Sequence, residues 1–420
     1  MATLSAHYDS AYDTQQTLAG RGFRARAVRA VLFATIFSSP FVLTEPSIYE
    51  AAVLILALTA IACGLAVDRK LLPLIVLLLL WSASGAAALT QVLQHSDALI
   101  YFLVSLYLQI TAVLFACLVA TDTMSRLGAV RTAYIWAAVL ASLLGILGYF
   151  QVLPFSEILL ENGRARATFK DPNVFGPFLI LPLLLLVQQV LHLGARPRYI
   201  VAFVIILIGL FLSFSRGAWA HFVGSATLML WLMFIAAPSL RARARIVTFA
   251  LLASFAVLSL LAVLLSLDAV SSMFTERASL AQSYDVGESG RFGKQWASLD
   301  VILTHPNGLG PEQFGRQFGQ APHNVYINAF VAYGWVGGIA LVTLTALTLV
   351  YGFQALFIRS PWQTYLIALY STYVGLMAES FVIDTDHWRH MFLVLGLVWG
   401  LVAATSKFKN RESSDVISVR

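Results

Sequence analysis

The chain has 420 residues, of which 59% are hydrophobic and only 11% are charged. A soluble domain carries roughly 25% charged residues, so this composition excludes a large soluble domain. The net charge of +6 does not indicate nucleic-acid binding, because the basic residues lie between hydrophobic runs and form no single patch. Apolar runs of about 20 residues, each long enough to cross a bilayer as a helix, recur from end to end. They predict an all-α polytopic membrane protein.

The apolar runs predict about twelve transmembrane helices in a single integral membrane domain that covers residues 1–420. Their predicted ranges are 28–45, 47–67, 71–91, 98–120, 133–152, 174–193, 199–214, 217–237, 246–267, 324–352, 363–383 and 389–405. The first run follows four arginines, as in a signal peptide, but no small-residue cleavage site follows it, so we expect it to remain as a helix. Cys63 and Cys117 lie inside apolar runs and are predicted to be free thiols.

Positively charged loops orient the predicted helices. Of the 27 Lys and Arg residues, 18 lie in the two tails and in the loops on the same side as the N-terminus. Because positive loops stay in the cytoplasm, the tails 1–27 and 406–420 are predicted to be cytoplasmic. The outer side has one long loop over 268–323. Its stretch 292–304 is predicted to form an amphipathic helix on the membrane surface or over a cavity.

Nine cations lie on the predicted outer side, against the orientation signal. They either mark sites for an anionic ligand or are the ordinary charges of longer loops, and the second interpretation is preferred for Arg277, Lys294 and Arg316. Arg216 stands between two apolar runs with almost no loop around it. It is either an interfacial arginine that reaches lipid head groups or a clamp that forms bidentate bonds to phosphate. Upstream, Arg164, Arg166 and Lys170 precede a Pro-Asn turn. Asn173 of this turn is predicted either to cap the sixth helix or to contact the ligand.

A further candidate lies where the long loop ends. His323 and Asn324 follow Pro322 directly before the tenth predicted helix. A histidine at a helix start is often a cap or a surface residue, but a neutral imidazole, with an ordinary pKa of about 6.5, is suited to accept a proton from a hydroxyl. The predicted location of His323 on the same face as Arg164 and Arg216 favours a role in a site.

The segment DTDHWRH, residues 384–390, is also predicted to lie outside. In one interpretation Asp384 and Asp386 bind a divalent cation, assisted by a histidine of the same segment. In the other, one aspartate caps the last helix and Trp388 anchors it at the membrane interface. The second interpretation is preferred, because Asp-x-Asp occurs easily by chance.

Four motifs occur in order along residues 160–340. They are Arg164…Thr168-Phe169…Pro172-Asn173-x-Phe175-Gly176, then Ser215-Arg216-Gly217, then Arg291…Trp296…His305-Pro306-x-Gly308-x-Gly310, then Pro322-His323-Asn324…Tyr333-Gly334…Gly337. In this order and spacing they resemble the O-antigen ligase and O-antigen polymerase (Wzy-like) superfamily of bacterial membrane glycosyltransferases. The predicted topology agrees. Ala167 departs from the pattern, because a Gly often follows the arginine in relatives, so we expect the turn there to differ.

The resemblance implies a GT-C-like, metal-independent, inverting glycosyltransferase of the bacterial inner membrane, with no cofactor and an active site that faces the periplasm. The donor would be a glycan linked to undecaprenyl pyrophosphate, in contact with membrane lipids. Family roles carry over to His323 as the catalytic base and to Arg164 and Arg216 as pyrophosphate contacts. Further candidates for substrate binding are Arg166, Asn173, Arg291 and Asn324.

Two activities fit the resemblance, and a third class of protein competes with it. A ligase transfers a finished chain to lipid A-core, whereas a polymerase extends the lipid-linked chain; the single long loop favours the ligase by analogy. A transporter or lipid flippase would also have twelve spans and cationic cavities. It is expected to show paired repeats and charged or Gly/Pro-broken helices at mid-membrane, and neither is evident in the sequence.

Overall fold

The computed structural model describes residues 22–92, 94, 96–278 and 290–418, and for residues 291, 292 and 412–418 it describes the backbone alone. The helices are α1 (22–38), α2 (Ile48–Ala62), α3 (Leu72–Leu89), α4 (Ser96–Thr121), α5 (Thr123–Tyr149), α6 (Pro172–Phe178), α7 (Ile180–Leu193), α8 (Pro197–Leu212), α9 (Arg216–Ala236), α10 (Leu240–Leu265), α11 (Asp268–Ala278), α12 (Arg291–Thr304), α13 (Gln313–Phe318), α14 (Val325–Leu356), α15 (Gln363–Glu379) and α16 (Arg389–Ser418). Two short 3₁₀ turns cover Arg69–Leu71 and Ser156–Leu159. In the described residues the only strands are β1 (Leu160–Glu161) and β2 (Arg164–Ala165), which pair antiparallel.

Eight helical segments of the described chain are long and apolar enough to cross a membrane: α3 with its 3₁₀ turn, α4, α5, α6 with α7, α9, α10, α14 and α16. Helices α2 and α8 are shorter and also apolar. Large apolar side chains cover the outer surface of the bundle; Leu251, Phe255 and Leu258 of α10 are 68%, 73% and 63% exposed. Such a surface suits lipid and not water. The all-α polytopic membrane architecture is confirmed, whereas the count of twelve spans and their orientation stay predictions.

The core of the bundle surrounds α7, in which every residue from Ile180 to Leu191 is buried. Helix α10, by contrast, buries only Ile246 and Leu264 and lies at the periphery. The main helix pairs are α4 with α16, α3 with α14, α9 with α15 and α5 with α8. Gly396 and Gly400 let α16 approach α4 closely, because a Cβ at either position would lie within 2.8 Å of an α4 carbonyl oxygen. Small residues commonly allow such close contact between membrane helices.

Several predicted boundaries differ from the observed ones. The sixth predicted span, 174–193, consists of two helices that meet at Leu179, directly after Pro177 in the last turn of α6. Helix α5 begins at Thr123, ten residues before the predicted start at 133. Helix α16 continues to Ser418, so most of the predicted tail 406–420 is helical. Hydropathy marks the apolar part of a helix, whereas backbone hydrogen bonds carry the helix on into polar sequence.

Helix α14 is interrupted at Gly334, whose φ of 72° and ψ of −170° are not helical. The segment 305–310, called the plug segment here, lies against the interruption and forms hydrogen bonds to α14 through its own backbone. The bonds run from Leu309 N to Val331 O at 2.8 Å, from Gly310 N to Ala332 O at 3.1 Å and from Trp335 N to Pro306 O at 2.9 Å. Backbone groups that the broken helix leaves unpaired are therefore satisfied by the loop, as buried polar groups require.

Two glycines make this contact feasible. Gly308 has a φ of 74°, and a Cβ on it would lie 2.5 Å from Gly334 N. A Cβ on Gly334 would lie 2.3 Å from Pro306 O. The expectation that the chain has no Gly-broken helix is therefore wrong at Gly334, since one Gly inside an apolar run does not reveal a break by itself.

Helix α12 forms where the sequence predicts an amphipathic helix. Its Ser298 and Val301 are buried against the protein, whereas Trp296, Leu299 and Leu303 are 74%, 44% and 72% exposed. The apolar stripe thus faces away from the protein and closes no cavity with these three side chains. This arrangement favours the membrane-surface alternative, which stays a prediction.

Candidate functional site

The candidate site lies at one end of the bundle, called the site end here, where α4, α9, α14 and α16 begin and α15 ends. The start of α14 is tied to the end of α15 by a bond from Val325 N to Ser380 O of 2.9 Å. Tyr101 of α4 reaches the connection between α15 and α16, where its hydroxyl donates to Asp386 Oδ2 at 2.8 Å. The connection 380–388 therefore lies close to the start of α14.

His323 lies at the start of α14 in a left-handed backbone conformation, with a φ of 49°. The next residue, Asn324, caps the helix: its Oδ1 accepts from Tyr326 N and Ile327 N, both at 3.1 Å. Asn324 is thus occupied by a structural role, and its predicted role in binding substrate stays a prediction. The cap fixes the helix start and with it the backbone of His323.

Two side chains determine the tautomer of His323. Gln320 Nε2 lies 2.8 Å from His323 Nε2, and Asp384 Oδ2 lies 2.7 Å from His323 Nδ1. An amide nitrogen only donates, so Nε2 of the ring is the acceptor and the ring proton is on Nδ1, from which it donates to Asp384. The His323 and Asp384 side chains are 26% and 30% exposed. The pair therefore presents a neutral imidazole with its lone pair on Nε2, the arrangement of a general base.

The contacts of segment 384–390 contradict the preferred interpretation of this segment as a cap and an anchor. The Asp384 carboxylate is turned to His323 and that of Asp386 to Tyr101, while Trp388 is only 5% exposed and stacks on His390. The sequence pattern alone did not predict a contact between Asp384 and His323. The signal for it was their predicted location on the same face.

Asp386 and His387 form a buried polar layer below this pair. Asp386 is 4% exposed, and burial raises the pKa of its carboxyl, an effect that nearby His387 opposes. Burial lowers the pKa of His387, against the attraction of Asp386 and other carboxylates. Ser105 Oγ lies 2.7 Å from His387 Nε2, and Asn328 approaches Asp386. Tyr101, Ser105 and Asn328 could not be identified from the sequence, because single polar residues within apolar runs carry no motif.

Two cavities meet at Asp384 and His387. Cavity A has a volume of about 240 Å³ and lies under the loop that precedes α14. Its polar lining comprises Tyr101, Glu312, Asn328, Asp384, Asp386 and His387. Cavity B has a volume of about 230 Å³ and combines charged side chains with apolar ones, among them Lys170, Arg389, Tyr49, Phe169, Phe178 and Leu393. Cavity A is thus lined by many oxygen atoms, whereas cavity B has both charged and apolar side chains in its lining.

The cations of cavity B are held by carboxylates. Arg389 donates to Glu50 Oε1 at 2.6 Å and to Glu45 Oε1 at 3.2 Å, and Lys170 Nζ lies 2.6 Å from Glu45 Oε2. The lysine and arginine together keep the pKa of Glu45 below its ordinary value, although partial burial, the largest single effect, acts in the opposite direction. Glu45 is half-exposed, so this ion pair is in contact with solvent.

Arg164 is a buried residue that connects three elements. It is 7% exposed; its Nε donates to Ser213 O at 2.9 Å and its Nη2 donates to Asn173 Oδ1 at 2.8 Å. Asn173 does not cap α6, because Asp171 accepts from Asn173 N at 2.7 Å and is the cap. These contacts give Arg164 and Asn173 structural roles in the folded chain.

The loop around Arg164 is also held by Arg166. The guanidinium of Arg166 donates to the carbonyls of Ile158 and Lys170 at 3.2 Å and 3.1 Å.

Ala167 adopts a φ of 52°, a conformation that costs an L-residue about 1–2 kcal/mol relative to Gly. The turn at Ala167 is therefore of the type that glycine favours, even though alanine occupies it.

Arg216 begins α9 after a three-residue turn and is half-buried. Within this turn Phe214 has a φ of 46°, and Ser215 caps α9 by accepting from Ala218 N. Directly after Arg216, Gly217 packs on Glu379, because a Cβ there would lie 2.8 Å from Glu379 Oε1. Since α15 ends at Glu379, Arg216 is at the site end with His323.

Arg291 begins α12, but its side chain lies outside the described part of the chain, so its role in binding stays a prediction. Among the described residues, no group of three or more His, Cys, Asp or Glu side chains is arranged to hold a metal ion. Metal independence is likewise still a prediction. Cys63 and Cys117 are free thiols, as predicted.

A family model described as Wzy_C, O-antigen ligase, matches residues 201–342, about a third of the chain. The matched range includes Arg216, the plug segment and His323, whereas Arg164 and Asp384 lie outside it. This match confirms the predicted resemblance to the O-antigen ligase and Wzy-like superfamily. No curated protein matches the chain significantly.

Proposed function

We propose that this protein, whose residues 201–342 match an O-antigen ligase domain, transfers a glycan from undecaprenyl pyrophosphate to an acceptor hydroxyl on lipid A-core. The reaction takes place at the site end, on the periplasmic side of the bacterial inner membrane. The observation that carries the proposal is the contact of His323 with Asp384, whose side chain lines two cavities of different chemical character.

His323 is the base in the proposed reaction. Its Nε2 takes the proton from the acceptor hydroxyl after Gln320 has turned away, and Asp384 stabilises the imidazolium that forms. The hydroxyl oxygen bonds to the anomeric carbon as the bond from that carbon to the pyrophosphate oxygen breaks. The electron pair leaves with the pyrophosphate, and in-line attack inverts the configuration.

The two cavities suit the two substrates. Cavity A presents carboxylate, amide and hydroxyl groups, which form hydrogen bonds with the hydroxyls of a sugar, so we assign it to the acceptor. Cavity B combines Lys170 and Arg389 with Phe178 and Leu393. A pyrophosphate attached to an isoprenoid chain has the same division into an anionic and an apolar part, so we assign cavity B to the donor.

Arg216 is the proposed pyrophosphate contact from α9, and Arg164 is assigned a supporting role. The Arg164 guanidinium binds Ser213 O, three residues before Arg216, and so holds the strained turn from which Arg216 projects. The charge that develops on the leaving pyrophosphate would then meet a cation whose position is already fixed, which lowers the barrier most effectively.

The proposal is tested by reconstitution in lipid nanodiscs with a labelled undecaprenyl-pyrophosphate glycan. One reaction receives lipid A-core as the acceptor, and a parallel reaction receives the lipid-linked glycan alone. Label on lipid A-core supports the ligase, whereas longer lipid-linked chains in both reactions would indicate a polymerase. Transfer that stops with EDTA and returns with a divalent cation would contradict the metal-independent mechanism. Absence of transfer in every reaction would overturn the proposal.

A further inference from the structure

A large groove lies at the opposite end of the bundle from His323. It has a volume of about 590 Å³ and is formed by α5, α7 and α8. Tyr365, close to the start of α15, lies beside it, whereas the other end of α15 at Glu379 belongs to the site end. The groove is therefore separated from cavities A and B by most of the length of a membrane helix.

Two arginines stand at the mouth of the groove. Arg131 donates to the hydroxyl of Tyr365, and its guanidinium lies 5.6 Å from the centre of that ring. Arg198 donates to the hydroxyl of Tyr199 at 2.9 Å and lies 4.8 Å from the centre of the Tyr199 ring. Each of these hydrogen bonds uses one of the five N–H groups of a guanidinium. No acidic residue is among the described residues that line the groove.

The groove changes from cationic to apolar in the same direction along both walls. On α5, Ile135 and Val139 follow Arg131 at intervals of four residues and therefore lie on the same helix face. On α8, Ala202 and Ile205 follow Arg198 at intervals of four and three residues. Both helices begin at this end, so the apolar residues that follow each arginine lie further into the bundle, over about 12 Å on α5 from Arg131 to Val139.

We propose that this groove binds an anionic phospholipid, whose phosphate lies between Arg131 and Arg198 and whose acyl chain lies along the two apolar walls. The pairing of a guanidinium with a phosphate is strong and directional, and basic pockets between membrane helices bind anionic head groups. Trp136, 60% exposed at the groove, has the amphipathic ring that favours the head-group region. The inference is independent of the proposed transferase activity.

The test uses the full-length purified protein, stripped of lipid in detergent, and dioleoyl phosphatidylglycerol as the probe. Bound lipid is counted by native mass spectrometry during a titration. Comparison with dioleoyl phosphatidylcholine, whose head group has no net charge, measures the contribution of head-group charge. Comparison with glycerol phosphate, which has no acyl chain, shows whether the groove binds any small anion equally well. The double variant Arg131→Gln/Arg198→Gln is compared with Arg69→Gln/Arg241→Gln, which removes two exposed cations from the same end outside the groove.

We expect phosphatidylglycerol to bind about tenfold or more tightly than phosphatidylcholine, since both arginines attract its net negative head group. The groove double variant should lose this difference, and the control double variant should keep it. Ala202→Phe keeps both arginines but places a large ring in the space for the acyl chain, so it should weaken the binding of both lipids. If the groove double variant does not fold, Ala202→Phe alone tests the proposal. Equal binding of the two lipids, wild-type binding by the groove variants, or equally tight glycerol phosphate would overturn the proposal.

Discussion

The regions around Arg164 and His323 have a similar pattern of residues in the sequence, but their polar groups have different partners in the structure. Both combine an ionisable side chain with an Asn at a helix start. Arg164 is buried, and its nitrogens donate to Ser213 O and Asn173 Oδ1 inside the protein. His323 is partly exposed, and of its described partners, Gln320 and Asp384, the latter lines cavity A. The first region thus stabilises the fold, whereas the second can change partners when a substrate arrives.

The comparison predicts its largest effect at His323. Replacement by Ala removes the base, so we expect glycan transfer to fall by about 10³-fold or more while thermal unfolding stays close to that of the wild type. His305→Ala, in the same loop and with an exposed side chain, is the matched control and should keep its activity. Transfer by the His323 variant at more than a tenth of the wild-type rate would remove the base assignment.

The next largest effect is predicted at Asp384. Asp384→Asn keeps the shape of the side chain but leaves the imidazolium without its carboxylate partner, so we expect the rate to fall about 100-fold. Thermal unfolding should stay close to that of the wild type, which separates this effect from a purely structural one. Asp300→Asn, on the exposed face of α12, is the control and should change neither the rate nor the thermal unfolding.

At Arg164 we predict an effect on stability. Arg164→Gln loses two buried charge-assisted bonds, and we expect the free energy of unfolding to fall by about 3 kcal/mol. Arg166→Gln, in the same loop, should change it by about 0.5 kcal/mol or less. Thermal unfolding in detergent measures both, with transfer activity expressed per folded molecule. If Arg164→Gln unfolds like the wild type but loses activity, then Arg164 contacts substrate and the contrast with His323 disappears.

The smallest effect is predicted at Asp386. Burial raises the pKa of this carboxyl above its ordinary value of 3.8, so its ionised form costs folding free energy. The cost is absent below the ordinary pKa and appears as the pH rises through the raised one. Asp386→Asn, which can still accept from Tyr101, should therefore be more stable than the wild type at neutral pH and equal to it in acid. A variant that is less stable at pH 7 would contradict this.

The membrane architecture could be predicted because a bilayer demands long apolar helices, and composition reports these directly. The break at Gly334 could not, because a helix with one Gly is common and the partner of the break lies 24 or more residues upstream. The motifs around Arg216 and His323 predicted correctly that these residues share one end of the bundle. The sequence did not distinguish Asp384 as a partner of His323 from Asp384 as a helix cap, since this depends on how the end of α15 packs on the start of α14.

The plug segment has a consequence for how the chain is assembled in the membrane. In the final structure the C=O groups of Val331 and Ala332 and the N–H group of Trp335 bond to the plug segment, and each such group would cost several kcal/mol in hydrocarbon without a partner. Helix α14 therefore cannot settle into its final form as it leaves the insertion machinery. It must wait for the preceding loop to be placed on the same side and to fold back. The last step of biogenesis at the site end is thus a main-chain docking event, and an added residue between His305 and Val331 would shift its register.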